Sequence, residues 1–176
     1  TATVPCVTDI HNEWRRPVAP MKKTWKKEPI DILFPADPRR REKRHLLALQ
    51  TGEALEQRGW IVGITSLRHQ PRDIVYDRML TADVTLITSL REAGPLVARE
   101  SLLCGTPVVS VDVGEVKEYL PEAWVCDEDP EALADGIEAA LRTGWTGTTS
   151  VDEQLEFASM RAVSQAWSEL LASLVS

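Results

Sequence analysis

From Ile30 onward the chain alternates short apolar runs with stretches of helical periodicity, and this alternation restricts the possible folds more than any other feature. Ile30–Phe34, Trp60–Ile64, Val84–Ile87, Pro107–Val111 and Trp124–Cys126 read as strands. They are short and apolar on both faces, as buried parallel strands are. Between them lie helical patterns. Glu42 to Arg58 carries Leu46, Leu47, Leu49, Ala54 and Leu55 as its expected apolar face, with Gly59 as its stop. Pro71 to Thr81 carries Ile74, Val75 and Met79, and Pro95 to Leu103 follows the third strand. A short helix is expected near Glu115 to Tyr119. The last begins at an Asp129 cap with Pro130 in its first turn and runs to about Arg142 and Gly144. This order predicts an α/β, Rossmann-like, doubly wound parallel sheet with right-handed crossovers, followed by a C-terminal helix. In such sheets ligands bind at the carboxyl ends of the strands.

The flanks differ from this middle. Residues 1–29 hold Pro5, Pro17, Pro20 and Pro29 and the basic stretch Met21–Lys27, and read as a linker. Residues 30–146 form the ligand-binding domain. Residues 147–176 form a helical segment whose Leu155, Phe157, Val163, Trp167, Leu170, Leu171 and Leu174 are more apolar than a free tail requires. We expect it to pack on this domain or on a neighbour. The chain begins at Thr1 rather than Met, so sequence upstream is expected. At 176 residues and 43% hydrophobic it can build a real core. A net charge of −7 argues against a general nucleic-acid binder. Cys6, Cys104 and Cys126 form no Cys-x-x-Cys pair, and His11, His45 and His69 have no ligand spacing, so no metal site is expected. Reduced thiols and a cytoplasmic location are the simplest reading. No apolar run approaches the ~18 residues that span a membrane, and no signal-peptide pattern is present.

Three strand-end loops could carry chemistry. In Pro35–Arg44, five cationic residues crowd a helix start. The helix dipole disfavours cations there, and a bound anion would relieve that cost while accepting hydrogen bonds from Arg. A solvated basic turn with Glu42 as partial compensation is the plainer alternative. The second loop contains Glu92 and Glu100, eight positions apart, with Gly94 and Pro95 between them. If mostly helical, that spacing is about 10 Å at ~1.5 Å per residue. It suits the two hydroxyl-rich ends of a nucleotide-sugar, with the diphosphate at the helix N-terminus between them. Gly94 would let the backbone approach a ligand closely, and the Leu96 and Val97 amides would be free helix-start donors. A solvated loop Glu and an ordinary helical Glu explain the pair as well. The third loop, Ser66–Gln70, could border a nucleobase. Cys104 before Gly105 reads as buried rather than nucleophilic, and the scattered Trp residues read as packing.

Taken together these residues resemble the donor-binding half of GT-B glycosyltransferases, family 4 in particular, over roughly residues 30 to 142. The most specific part is Ala82-Asp83-Val84 through Ser89, Glu92, Gly94-Pro95, Glu100, Cys104–Val109 and Asp112-Val113-Gly114. The segment Phe34–Lys43 resembles a subgroup in which an Arg and a Lys three residues apart follow the first strand, here Arg40 and Lys43. Val4-Pro5-Cys6 looks like the hinge after an acceptor domain. The resemblance implies that Arg40 and Lys43 grip the donor diphosphate, that Glu92 lies by the sugar, and that Glu100 holds the ribose. It implies a retaining, metal-independent hexosyltransferase that uses a UDP- or GDP-sugar in polysaccharide biosynthesis. No cofactor is implied, since the nucleotide-sugar is a substrate. The acceptor, a saccharide or lipid-linked one, would be bound by an upstream domain, and this fragment alone would be inactive. Ala93 stands where the family commonly has Gly, which puts its part in sugar contacts in question.

Two other readings compete. One is a GT-B-type sugar-nucleotide epimerase or hydrolase. The other is a non-catalytic α/β signalling module such as a receiver domain. A receiver needs clustered acids after the first strand and an Asp ending the third. Here the first loop is basic and the third strand ends Thr88-Ser89.

Overall fold

The computed structural model describes residues 28–145 together with Ser164, Gln165, Ser168 and Ala172. The linker expected before residue 28 lies outside the described residues. So does the C-terminal helical segment, apart from those four, which are helical and exposed.

Five strands form one all-parallel sheet: β1 (Pro29–Phe34), β2 (Ile61–Ser66), β3 (Val84–Ile87), β4 (Val108–Val111) and β5 (Val125–Cys126), in the order β2-β1-β3-β4-β5. The doubly wound α/β expectation is met. Every residue of β3 and β4 is buried, which is why these strands read as unbroken apolar runs. Edge strand β2 is more open, and its Ile61 is 55% exposed. Trp60 is buried just ahead of β2 rather than within it.

Four α-helices cover the sheet: α1 (His45–Gln57), α2 (Arg72–Thr81), α3 (Leu96–Leu103) and α4 (Pro130–Thr143). α1 packs on α4, and α2 packs on α3. The α1/α4 side buries Ile30, Ile32, Phe34, Leu55, Leu133 and Ile137 in the larger core. On the other side Leu33, Leu67, Tyr76, Met79, Ala82 and Cys104 form a smaller one, so Cys104 is buried as expected. Asp129 caps α4 as its sequence foretells, accepting from the Glu131 and Ala132 amides at 3.0 Å. Arg58 ties α1 to α4 by pairing with Glu131, Asp135 and Glu138. The expected short helix near Glu115 to Tyr119 is a 3₁₀ turn, Val116–Glu118, and a second such turn, Glu122–Trp124, leads into β5.

The expected helix over Glu42–Arg58 is corrected. Arg41–Lys43 form a 3₁₀ turn, Arg44 adopts the left-handed conformation (φ 51°, ψ 50°), and α1 starts only at His45. This break sets the helix phase. Leu47, Ala48, Thr51, Gly52 and Leu55 face the sheet, whereas Leu46 and Leu49, expected inside, are 68% and 40% exposed. In α2 the inward residues are Tyr76 and Met79, while Ile74 is 37% exposed.

Asp83 lies at the amino end of β3. Its carboxylate accepts from the Asp31 amide at 2.8 Å and joins β3 to β1. Gly105 (φ 81°) turns the chain from α3 into β4, and the buried Thr106 hydroxyl donates to the Met79 carbonyl. The Gly105-Thr106-Pro107 run is therefore accounted for by chain reversal and interhelical anchoring.

Candidate functional site

Strand order reverses direction at β1, with β2 on one side and β3 on the other. The crevice outside the carboxyl ends of β1 and β3 is therefore the topological switch point, where open α/β sheets bind ligands. The two loops that leave these strands are stitched together there. The Leu90 amide donates to the Glu42 carbonyl at 2.8 Å, and the Thr88 hydroxyl donates to the Lys43 carbonyl at 2.7 Å. Arg44 Nε donates to the Thr88 carbonyl at 2.6 Å, and its guanidinium pairs with Glu128 at 2.5 Å. The left-handed backbone at Arg44 thus sends a long side chain under the end of β3. That side chain is a structural anchor that sequence reasoning did not single out.

This stitching brings Lys43 to Glu92. Their side chains form an ion pair, each about one-fifth exposed or less (17% and 20%). Around it, Phe34, Thr88, Ser89 and Val97 line a cavity of about 20 Å³. α3 begins beside this cavity. Its first backbone bond runs from the Ala98 amide to the Pro95 carbonyl at 2.9 Å, so the Leu96 and Val97 amides precede the intrahelical ladder. Leu96 itself is 38% exposed.

Arg40 does not join Lys43. Its guanidinium bonds Glu42 at 2.7 Å, and it lines a separate groove of about 590 Å³ with Arg41, Arg44, His45 and Leu49. A three-residue spacing would put both side chains on one face of a continuous helical turn. Arg40 instead stands outside the 3₁₀ turn, as its cap with an extended backbone (φ −76°, ψ 103°), and its side chain leaves in another direction.

Glu100 is buried at 4% exposure and is paired with Arg72 from the start of α2. Arg72 also donates to the Tyr76 hydroxyl at 2.8 Å and lies 5.1 Å from the Tyr76 ring centroid. Partial burial is the largest single influence and works to lower the Arg72 pKa, but the Glu100 charge, Tyr76 and the hydrogen bonds to both together hold the guanidinium above its usual range. The same surroundings, burial first and Glu100 second, push the Tyr76 phenol up. Arg72 and Tyr76 stand four residues apart at the mouth of the third loop. That spacing was the available signal, and only the sheet order reveals that they face Glu100.

Gly94 has a neighbour other than the one expected. A Cβ built there would lie 2.6 Å from Glu115 Oε1, so the space beside it is taken by a side chain of this chain. Glu115 in turn pairs with the buried Arg99 at 2.6 Å. In the third loop, His69 is 80% exposed and 4.0 Å from the Asp37 carboxylate, as a surface histidine would be.

The site thus presents two carboxylates, each held by a cation, on either side of a helix start. Comparison with known proteins bears on the family and the fold. Residues 50–152 match the family described as Glycosyl transferases group 1. D-inositol 3-phosphate glycosyltransferase from Mycolicibacterium vanbaalenii is 36% identical over 90 residues, covering 48% of this chain and 17% of that protein. The enzyme of the same name from Thermomonospora curvata is 32% identical over 123 residues, 62% of this chain and 27% of its own length. That from Mycolicibacterium smegmatis is 34% identical over 92 residues, 49% of this chain and 18% of its own. The chain therefore spans well under a third of these relatives. Among solved structures, sucrose-phosphate synthase from Thermosynechococcus elongatus superposes with a TM-score of 0.64 at 21% identity, over 98% of this chain and 52% of that one, and shares its fold.

Proposed function

This chain belongs to the glycosyl transferases group 1 family, and we propose that it is the donor-binding half of a retaining, family 4-type hexosyltransferase that uses a UDP- or GDP-sugar. The observation that carries the reading is the Lys43–Glu92 pair at the switch point, beside the open start of α3. In this reading a bound donor replaces that pair. Its diphosphate takes Lys43 from Glu92 and accepts from the Leu96 and Val97 amides. Glu92, released, faces the hydroxyls of the sugar. Glu100 holds the ribose, with Arg72 fixing its carboxylate. When the bond from the anomeric carbon to the phosphate oxygen breaks, the electron pair leaves with the nucleoside diphosphate. Lys43 and the helix start meet that developing charge, so the reading calls for no metal. Arg40 contributes only if it leaves Glu42 and turns toward the phosphates. The acceptor, a saccharide or a lipid-linked one, would be bound by a second domain, in a cytoplasmic enzyme of glycan synthesis. Among the described residues no helix is long and apolar enough to cross a membrane.

The test is calorimetric titration with UDP, GDP and a panel of their sugar conjugates. One nucleotide should bind, and one of its sugars should bind more tightly than the bare nucleotide. Absence of binding by every UDP and GDP compound would remove the reading. A sugar-nucleotide epimerase or hydrolase is the second reading, since it needs the same donor contacts. Release of free sugar or an epimer, with no acceptor present, would favour it.

A further inference from the structure

Arg99 is 2% exposed and lies within α3. One guanidinium nitrogen pairs with Glu115 Oε1 at 2.6 Å, and its central carbon lies 5.1 Å from the Tyr119 ring centroid. Among the described residues, Arg99 Nε and the Tyr119 hydroxyl are buried without a hydrogen-bond partner. A buried guanidinium that is incompletely satisfied is a costly way to fill a core, and apolar residues of similar volume often serve stability as well or better. Stability is therefore a poor account of why Arg99 is there.

What the pair holds gives a better one. Glu115 occupies the space beside Gly94, where a Cβ would come within 2.6 Å of its Oε1. One residue earlier, Gly114 (φ 58°) lies against the same loop, and a Cβ there would be 2.9 Å from the Ala93 carbonyl oxygen and 3.1 Å from that of Glu92. The loop Glu92–Gly94 is thus backed by Gly114 and Glu115, and Glu115 is fixed from inside the fold by Arg99. On its other side the loop delivers the Glu92 carboxylate to Lys43.

We propose that Arg99, Glu115 and Tyr119 form a buried clamp that positions the Glu92–Gly94 loop and so sets how strongly the site distinguishes a nucleotide-sugar from its bare nucleotide. The first half concerns the fold alone; the second rests on the donor-binding reading above. Tyr119 stacks on the guanidinium and keeps it from turning away from Glu115. These are positioning residues, since they act on the ligand only through the loop.

Two measurements on the 176-residue chain test this. The first is backbone hydrogen exchange without ligand, read on peptides covering residues 89–98, for wild type and for Arg99→Met combined with Glu115→Gln. The paired change removes both charges together, so neither is left buried alone. Exchange at the Leu90 and Ala98 amides, which flank the loop and donate to the Glu42 and Pro95 carbonyls, should rise about tenfold or more while the melting temperature stays close to wild type, as for a local opening below global unfolding. Arg99→Lys, which keeps a cation for Glu115, should restore part of the protection. The second is titration with UDP, GDP and the sugar conjugate that the wild type prefers. The variant should keep its affinity for the nucleotide and lose the extra affinity due to the sugar. Unchanged exchange at the Leu90 and Ala98 amides overturns the clamp, as does an equal rise across the whole domain. Loosened exchange with the sugar preference intact overturns its functional consequence. Failure of the wild type to bind any nucleotide overturns that consequence and the donor reading together, while the exchange result still decides the clamp.

Discussion

Lys43 and Glu92, 49 residues apart in sequence, meet as an ion pair between the β1–α1 and β3–α3 loops. Each is the other's partner only because β1 and β3 are neighbours in the sheet. If a diphosphate displaces Glu92, the two residues must respond differently to mutation. Lys43→Ala should weaken UDP or GDP by ~1.5–3 kcal/mol, the range for a charge-assisted hydrogen bond. Glu92→Gln should spare the bare nucleotide, because Lys43 is then released, and weaken the sugar conjugate. Arg40→Ala should cost less than ~1 kcal/mol, since Arg40 is exposed and bound to Glu42. Calorimetry on the three variants checks the order. A loss of nucleotide affinity with Glu92→Gln as large as that with Lys43→Ala would contradict the exchange of partners.

Glu100 and Arg72 make a second case. Glu100→Gln keeps the shape and a hydrogen-bonding oxygen but removes the charge that faces Arg72. It should weaken the nucleotide and its sugar conjugate equally, because both carry the ribose. Arg72→Ala leaves the buried carboxylate without its cation and should lower stability by about 1–2 kcal/mol, reduced from a fully buried case because Arg72 is 65% exposed. Urea denaturation measures the loss. A mutant as stable as wild type would show that solvent alone satisfies Glu100.

These two pairs mark where the sequence ceased to be legible. The five strands, the Asp129 cap and the Gly105 stop are local features, set by periodicity, a side-chain cap and a turn glycine. All could be read along the chain. The apolar face of α1 could not, because it depends on the helix phase fixed at Arg44. Nothing in the run Arg39–Arg44 announces which Arg takes the left-handed conformation. Nor could the partners of Glu92, Glu100 and Gly94 be read. Lys43, Arg72 and Glu115 come from three other strand-end segments, and their convergence is a property of strand order.

Arg44 offers a direct test of that break. Its φ of 51° is unfavourable for a residue with a Cβ by roughly 1–2 kcal/mol, while its side chain holds the Thr88 carbonyl and Glu128. Arg44→Gly relieves the backbone and loses the contacts. Arg44→Ala keeps the backbone cost and loses the same contacts. Both should be less stable than wild type, with Ala below Gly by about 1 kcal/mol. Chemical denaturation of the pair checks the ranking, and an Ala variant more stable than the Gly variant would argue against the left-handed conformation.

Burial pushes the Cys126 thiol from an ordinary 9.0 up to about 11, and burial likewise raises the Tyr119 phenol. Both groups hold their protons more tightly folded than unfolded. Their contribution to stability is complete below about pH 9 and falls as pH rises through the folded value near 11 for Cys126, with Tyr119 adding to the loss from its ordinary value of 10.0 upward. Urea midpoints should therefore be level from about pH 7 to 8.5 and decline from about pH 9 to 11. Cys126→Ala should reduce the decline over that window. Iodoacetamide at about pH 8 should label Cys126 more slowly in the native chain than in urea, read by peptide mass spectrometry.

The last prediction concerns what this chain can do unaided. The space around Lys43, Glu92 and Val97 amounts to about 20 Å³, whereas pockets that enclose ligands of drug size run to roughly 300–1,000 Å³. Opening the ion pair enlarges it, but the described residues supply one wall only, the carboxyl edge of a single sheet. Water then reaches the bound diphosphate, and each charge contact made there is weaker than in a closed cleft. The 176-residue chain should bind its nucleotide weakly, bind it equally well in EDTA, and transfer no sugar to an acceptor. Joined to an upstream domain that supplies the second wall, it should bind more tightly and turn over. A transfer assay in EDTA on both forms separates the possibilities. Robust turnover by the short chain would mean that its own residues close the site, and the two-domain reading would then have to be given up.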